Sequence, residues 1–275
     1  MPELPEVETI KLQMQKELLG KTIQEIVVKK VRMWEGNKKQ VEGQKIKNIN
    51  RMGKMIIWKL GNNTSVVFHM RMSGQLVING EEGKYSHVII KFTDNTKLVF
   101  NDMRQFGRVT ILSQTSSLKI NKKQLHERLG PDPLGKEFTI SYFTNLLAKS
   151  KKPIKILLLE QEKIAGIGNI YANEALFCAG INPSKTGLEL VKKFPEKVGK
   201  LSSCIKKVLQ EAIKYGGTSG NDEQYVNLYG EKGKMQNHVK VYQRTGKKCL
   251  NNCGGVVKRI KLGGRGTFYC PACQR

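Results

Sequence analysis

Gly130-Pro131-Asp132-Pro133-Leu134-Gly135 divides this 275-residue chain into two differently patterned parts. With two prolines between two glycines, neither a helix nor a strand runs through it, which makes it a hinge. Before it, Val7, Ile10, Met14 and Leu18 share one helix face, and Pro5 with Glu6 and Glu8 suits a helix start. β-type runs follow at 23–31, 55–60, 66–70, 88–92, 97–100 and 109–112. Glycine, asparagine and aspartate turns separate them at short spacing, the pattern of a sandwich or barrel. After the hinge the pattern turns helical: Val198, Leu201, Ile205, Val208, Leu209 and Ala212 form a stripe that stops at Gly216-Gly217. A tail rich in glycine and β-branched residues closes the chain. The expected class is α+β, and the length suffices for two cores of ordinary size.

That tail holds four of the six cysteines, as Cys249-x3-Cys253-x16-Cys270-x2-Cys273. Two tight pairs of thiolates at this spacing match a structural zinc site, although the first pair has three intervening residues where two are usual. Gly254-Gly255 suits the knuckle after Cys253. Two other readings compete. A redox dithiol at Cys270-Pro271-Ala272-Cys273 lacks a preceding β-α pattern. Disulfides call for an oxidising compartment, and the N-terminus lacks the basic and apolar regions of a secretory signal. Cys178 and Cys204 sit among apolar residues and are expected as buried core thiols.

The chain opens Met1-Pro2-Glu3-Leu4-Pro5-Glu6. A small second residue permits trimming of Met1, which would leave Pro2 with a free secondary amine. Such an α-amino group titrates near ~8, against ~10.4 for lysine, so part of it is neutral at physiological pH. Beside the Glu3 carboxyl, that amine is equipped to attack an electrophilic carbon and form a Schiff base. Many chains begin Met-Pro without any such role, and these residues alone do not decide between the two readings.

Composition narrows the partner. Forty-eight Lys and Arg against 23 Asp and Glu give a formal charge of +25. No apolar run reaches the ~18 residues of a membrane span. A balance this basic implies a polyanion, for which nucleic acid is the usual candidate. The excess reaches the tail, where residues 226–275 hold eleven basic residues and one acid, Glu231. In Ala165-Gly166-Ile167-Gly168-Asn169-Ile170-Tyr171-Ala172-Asn173-Glu174, two glycines between expected helices would let backbone N–H groups approach an anion. Asn169 is expected to cap the second helix while donating to a phosphate. The competing reading is a plain turn.

Taken together, these motifs make the chain similar to the formamidopyrimidine-DNA glycosylase family of base-excision-repair enzymes. The resemblance rests on Pro2-Glu3-Leu4-Pro5-Glu6-Val7-Glu8, Gly53-Lys54, His69 with Met72-Ser73-Gly74, and Arg104-Gln105-Phe106-Gly107. It continues through Gly166-Ile167-Gly168-Asn169-Ile170-Tyr171-Ala172 to Arg265-Gly266-Thr267-Phe268-Tyr269-Cys270-Pro271-x-Cys273. Leu4 sets the chain apart from the sister endonuclease VIII branch, which opens Pro-Glu-Gly-Pro. The resemblance implies an N-terminal β-sandwich or barrel domain with flanking helices over 1–130 and a hinge at 131–136. A helical DNA-binding domain with a helix-two-turn-helix over 137–236 and a β-hairpin zinc finger over 237–275 would complete it.

It also implies an activity: removal of 8-oxoguanine and formamidopyrimidines from duplex DNA, followed by cleavage of the abasic site. Pro2 would be the nucleophile and Glu3 the acid/base, with Lys54 and Arg265 completing the catalytic set. Glu6 either holds this arrangement or is a first-turn helix charge. Lys54, His69, Asn169, Tyr242 and Arg265 match positions that grip phosphates. Met72, Arg104 and Phe106 match those that fill the void left by an extruded base, with Arg104 reading the orphaned cytosine. Lys155 matches a lysine implicated in lesion handling. One structural Zn2+ on the four tail cysteines, damaged double-stranded DNA as partner, a monomer, and a cytoplasmic, nucleoid-associated location complete the expectation. The chain departs from the family at Gln105, at Gln243, and in 217–225, which is longer and more acidic than the usual lesion-capping loop. The alternatives are an endonuclease VIII-like enzyme for oxidised pyrimidines, a non-catalytic damaged-DNA-binding relative, and a zinc-ribbon module on an unrelated N-terminal domain. Pro2 and Glu3, which a non-catalytic relative would be expected to lose, are both present.

Overall fold

The computed structural model describes residues 1–113, 129–220 and 225–275. The chain forms two compact units, residues 1–127 with 212–236 and residues 128–211 with 237–275. Among the described residues no helix is long and apolar enough to cross a membrane.

The first unit begins with helix α1 (Leu4–Leu18). Its stripe of Val7, Ile10, Met14 and Leu18 is fully buried. Nine strands follow: β1 (Ile23–Val28), β2 (Trp34–Glu35), β3 (Ile46–Met52), β4 (Met55–Leu60), β5 (Thr64–His69), β6 (Gly74–Ile78), β7 (Ser86–Phe92), β8 (Lys97–Asp102) and β9 (Arg108–Ser113). They make a four-stranded sheet ordered β1-β7-β8-β6 and a five-stranded sheet ordered β2-β9-β5-β4-β3. Alternate residues of both sheets close on one core: Trp58 of β4 lies 4.6 Å from the Phe68 ring and 6.2 Å from Phe92 of the other sheet. The result is the sandwich that short alternating strands imply.

Three details differ from the sequence pattern. β1 ends at Val28, and Val31 stands 79% exposed in a short 3₁₀ turn over Val31–Met33. β3 and β6 lie outside the apolar runs. β3 escapes notice because its register slips between Ile46 and Asn48, so its two core residues, Ile46 and Ile49, are three apart instead of two.

The second unit carries α2 (Ile140–Ala148), α3 (Ile154–Leu159), α4 (Asn169–Ala179), α5 (Gly187–Lys193), most of α6 (Pro195–Lys214) and a hairpin of β10 (Lys258–Leu262) and β11 (Arg265–Tyr269). The proline-rich hinge packs against residues 161–165: Gly130 N–H donates to the Gln161 carbonyl and Ala165 N–H to the Pro131 carbonyl. A Cβ on Gly130 would meet the Lys163 carbonyl oxygen at 2.2 Å, so only glycine fits. The α6 stripe is buried throughout. Cys178 and Cys204 are not separate thiols as expected. They form a disulfide between α4 and α6, with Cα atoms 5.8 Å apart. Neighbouring helices bring together positions 26 residues apart, which linear spacing does not reveal.

Candidate active site and nucleic-acid interface

In the first unit, Pro2, Glu3 and Glu6 are buried where α1 begins. Both oxygens of the Glu6 carboxylate are occupied: one accepts the Glu3 N–H at 2.8 Å, the other the Thr218 N–H at 2.7 Å. Gly217 makes this possible, since it holds φ +83° and any Cβ there would come within 2.9 Å of Glu6. Glu6 is thus both a first-turn charge and a fixed link between the Pro2-Glu3 backbone and the segment after α6. The longer loop expected at 217–225 begins here, but residues 221–224 lie outside the described part.

The strand order sets the rest of this surface. β2 runs parallel to β9 and the other neighbours are antiparallel, so the start of β2, the start of β9, the end of β5, the start of β4 and the end of β3 line one rim. Lys54 sits in the β3–β4 turn, and His69 at the end of β5 pairs with Met55 and Arg108. His69 Nδ1 accepts the Arg71 N–H at 3.1 Å, which leaves the ring proton on Nε2 as a donor. Burial, with Arg71 and Lys54 nearby, pushes its pKa down to about 3. His69 is therefore a neutral donor at physiological pH. A histidine with a depressed folded pKa favours the fold above ~6.5, and that contribution fades as pH falls toward about 3. His69 ring resonances should stay flat between pH 8 and pH 5 in NMR titration. A midpoint near ~6.5 would show the ring to be solvated and would remove this account.

Met72, Arg104 and Phe106 sit on two loops at the same rim, with Met72 38% and Phe106 52% exposed. Arg104 covers the Phe106 ring at 5.2 Å. Asp102, which belongs to none of the sequence motifs, builds this arrangement. It is fully buried, and its Oδ1 accepts the Ser73 hydroxyl and the Arg104 N–H while Oδ2 accepts the Gly107 N–H. One carboxylate thereby ties the Met72 loop to the Arg104–Phe106 loop. Gly107 is required, because a Cβ there would lie 2.6 Å from Phe100.

In the second unit, α4 is the organiser. Gln161 staples the preceding turn, accepting the Gly166 N–H and donating to the Ile167 and Leu159 carbonyls. The cap position belongs to Gly168 and not to Asn169, because Asn169 already has helical backbone. Among the described residues its buried Oδ1 has no hydrogen-bond donor. One turn on, Asn173 accepts the Phe268 N–H of β11, and Glu174 accepts three successive N–H groups from Lys240, Val241 and Tyr242 at 2.8–3.0 Å. Burial raises the Glu174 pKa, and the three N–H bonds oppose that rise. Tyr242 is thereby fixed, its ring edge-on to Phe268 at 5.2 Å. Lys155 is fully buried, its Nζ donating to the Gly266 carbonyl and the Thr267 hydroxyl behind the exposed Arg265. Asn173 and Glu174 stand inside the conspicuous glycine motif, but only the fold reveals that they clamp distant backbone.

The four tail cysteines converge, with all sulfurs within 4.8 Å of one another. Cys249 and Cys273 sulfurs are 3.8 Å apart, Cys253 and Cys270 3.6 Å. A tetrahedron with Zn–S bonds of ~2.3 Å has edges of about 3.8 Å, so the donor set fits zinc. Gly255 is needed, since its Cβ would lie 2.7 Å from Cys270 Sγ. Four thiolates close the coordination sphere, which marks a structural site holding one zinc and not a catalytic one.

Three domain families match in order: formamidopyrimidine-DNA glycosylase N-terminal domain at 1–109, formamidopyrimidine-DNA glycosylase H2TH domain at 129–224, and the zinc finger found in FPG and IleRS at 246–275. The chain belongs to the formamidopyrimidine-DNA glycosylase family. It is 38% identical over 282 residues to formamidopyrimidine-DNA glycosylase of Lactococcus lactis subsp. lactis and 40% identical to that of Desulfitobacterium hafniense, with both chains of each pair fully covered. Among solved structures it resembles MutM (Fpg) of Thermus thermophilus, with 35% identity, TM-score 0.88 and 99% and 98% of the two chains covered. It also resembles the Lactococcus lactis Fpg in complex with an abasic site containing DNA, with 36% identity, TM-score 0.88 and 99% of each chain covered. Family membership accounts for both the zinc finger and the basic surface, and the expected fold class stands.

Proposed function

We propose that Pro2 is the nucleophile and Glu3 the acid/base with which this base-excision-repair glycosylase removes oxidised purines from duplex DNA. The observation that carries the reading is the buried Glu6 carboxylate, which fixes the backbone of Pro2-Glu3 in a unit whose sheet rim presents cations. Removal of Met1 frees the Pro2 amine. Its lone pair forms a bond to C1′ of the extruded nucleotide as the glycosidic bond breaks, and the base leaves with a proton. Glu3 protonates the sugar-ring oxygen as it opens, giving the iminium. Loss of a C2′ proton then expels the 3′ phosphate, and a second elimination expels the 5′ phosphate.

Lys54 and His69 in the first unit, and Asn169, Tyr242 and Arg265 in the second, are the donors for phosphates around the lesion. Lys155, buried behind Arg265, serves by holding that strand. Zinc, when bound, folds the finger and supplies no step. The functional partition we adopt is 1–130, 131–136, 137–236 and 237–275, and the setting is the bacterial cytoplasm, at the nucleoid.

Met72, Phe106 and Arg104 fill the vacated stack. Cytosine offers Arg104 the O2 and N3 acceptors, whereas adenine presents an amino donor. A contact worth about 1–3 kcal/mol gives roughly a ten- to hundredfold preference for excision opposite cytosine. Arg104→Ala should flatten that preference more than it slows excision, as read by single-turnover release of 8-oxoguanine opposite cytosine and adenine. Equal rates in the unaltered protein, or faster release of an oxidised pyrimidine, would overturn this reading.

A further inference from the structure

We infer that Arg32, held by Gln105, is an additional phosphate-binding residue that extends the basic rim by one strand. This rests on the reading of the 103–107 loop as facing DNA. The rim built by Lys54, His69 and Arg104 crosses β3, β4, β5 and β9; β2 is the next strand, and Arg32 lies two residues before it. β2 runs parallel to β9 with Trp34 opposite Val109, so the residues just before each strand, Arg32 and the 104–107 loop, emerge side by side. At ~4.8 Å per strand, β2 to β3 spans roughly 19 Å, which matches five to six base pairs of duplex at ~3.4 Å each.

The position is built. Met33, next in sequence, is anchored in the core at 1% exposure. Just upstream, Lys29 and Lys30 donate their N–H groups to the His87 carbonyl, and the His87 ring donates to the Asp102 carbonyl at 2.9 Å. The Arg32 turn is therefore tied to the same residue that shapes the Arg104–Phe106 loop. From that loop, Gln105 adopts φ +56°, a left-handed conformation a non-glycine residue seldom takes, and its Oε1 accepts from Arg32 Nη2 at 2.7 Å.

What Arg32 lacks is a counter-charge. It is exposed, and among the described residues no carboxylate pairs with it, in contrast to Lys29, which is held by Glu82, or Arg51, held by Glu8. A neutral amide orients the guanidinium along one edge and leaves its other donors and its full charge available. That is the chemistry of a site for an oxyanion of the DNA backbone, where a planar fork of N–H groups donates to two oxygens.

The test is the salt dependence of binding to two duplexes, one undamaged and one carrying a tetrahydrofuran abasic analogue. Each phosphate contact contributes about 0.9 to the slope of log affinity against log salt. Arg32→Ala should lower the slope by about 0.9 on both duplexes and cost about tenfold in affinity at 50 mM salt, shrinking to roughly threefold at 200 mM. Arg32→Lys, which keeps the charge, should keep the slope. Gln105→Leu should keep the slope and lose about threefold in affinity, and adding it to Arg32→Ala should cost nothing more. An unchanged slope in Arg32→Ala, with thermal stability intact, would overturn the phosphate contact. A Gln105→Leu protein indistinguishable from the unaltered one would remove its positioning role. Failure of the unaltered protein to prefer the abasic duplex would count against the excision reading alone, since the slope on undamaged DNA still reports Arg32.

Discussion

Glu3→Gln should bind abasic-site DNA about as tightly as the unaltered protein yet release 8-oxoguanine some 10²- to 10⁴-fold more slowly, the usual span of a positioned general acid/base. The substitution preserves size and leaves Glu6 to hold the Glu3 N–H, so the start of α1 keeps its geometry. Pro2→Gly should be as damaging to trapping of the covalent intermediate, because a primary amine on a more flexible backbone replaces the constrained secondary one. Single-turnover base release and equilibrium binding, measured on the same preparations, separate chemistry from affinity. Undiminished release by Glu3→Gln would take Glu3 out of the mechanism.

The second large effect concerns the metal. Cys270→Ser removes a fully buried ligand from the four-cysteine cluster. Structural zinc contributes apparent folding free energy of about 10–16 kcal/mol in small fingers, far more than a 30-residue segment otherwise gathers. Zinc content should fall from one per chain to near zero, and DNA binding should fall by two orders of magnitude or more, because Arg265 loses the hairpin that carries it. Arg265→Ala should weaken binding with zinc unchanged. Elemental analysis of freshly purified, reduced protein decides this; a metal-free protein with full DNA affinity would contradict it.

Much of this molecule is legible along the chain. The α1 stripe announces itself because it buries one helix face at a regular period, and β4, β5, β7, β8 and β9 because each is a short, nearly continuous apolar run. The cysteine spacing states its geometry because four soft ligands on two knuckles have few other uses. What stays hidden depends on distance in three dimensions. β3 hides because it is an edge strand whose bulge spoils the two-residue period. The disulfide hides because two helices must pack before Cys178 meets Cys204. Asp102 and Glu174 look like ordinary charges in a chain of +25, and Lys155 stands out only through the family resemblance, yet each is buried and tied to backbone or hydroxyl groups of another loop or strand. Asn169 illustrates the opposite error: it resembles a helix cap, but the extended backbone of Gly168 takes that position first.

The chemistry is proposed to start at the nitrogen of Pro2. The direct measurement is borohydride reduction of the protein during turnover on a duplex carrying 8-oxoguanine opposite cytosine, followed by proteolysis and mass spectrometry of the adduct. One DNA-linked peptide is expected, the N-terminal one lacking Met1, with the deoxyribose remnant on Pro2. An adduct on Lys54 or any other lysine, or a trapped chain that retains Met1, would contradict it.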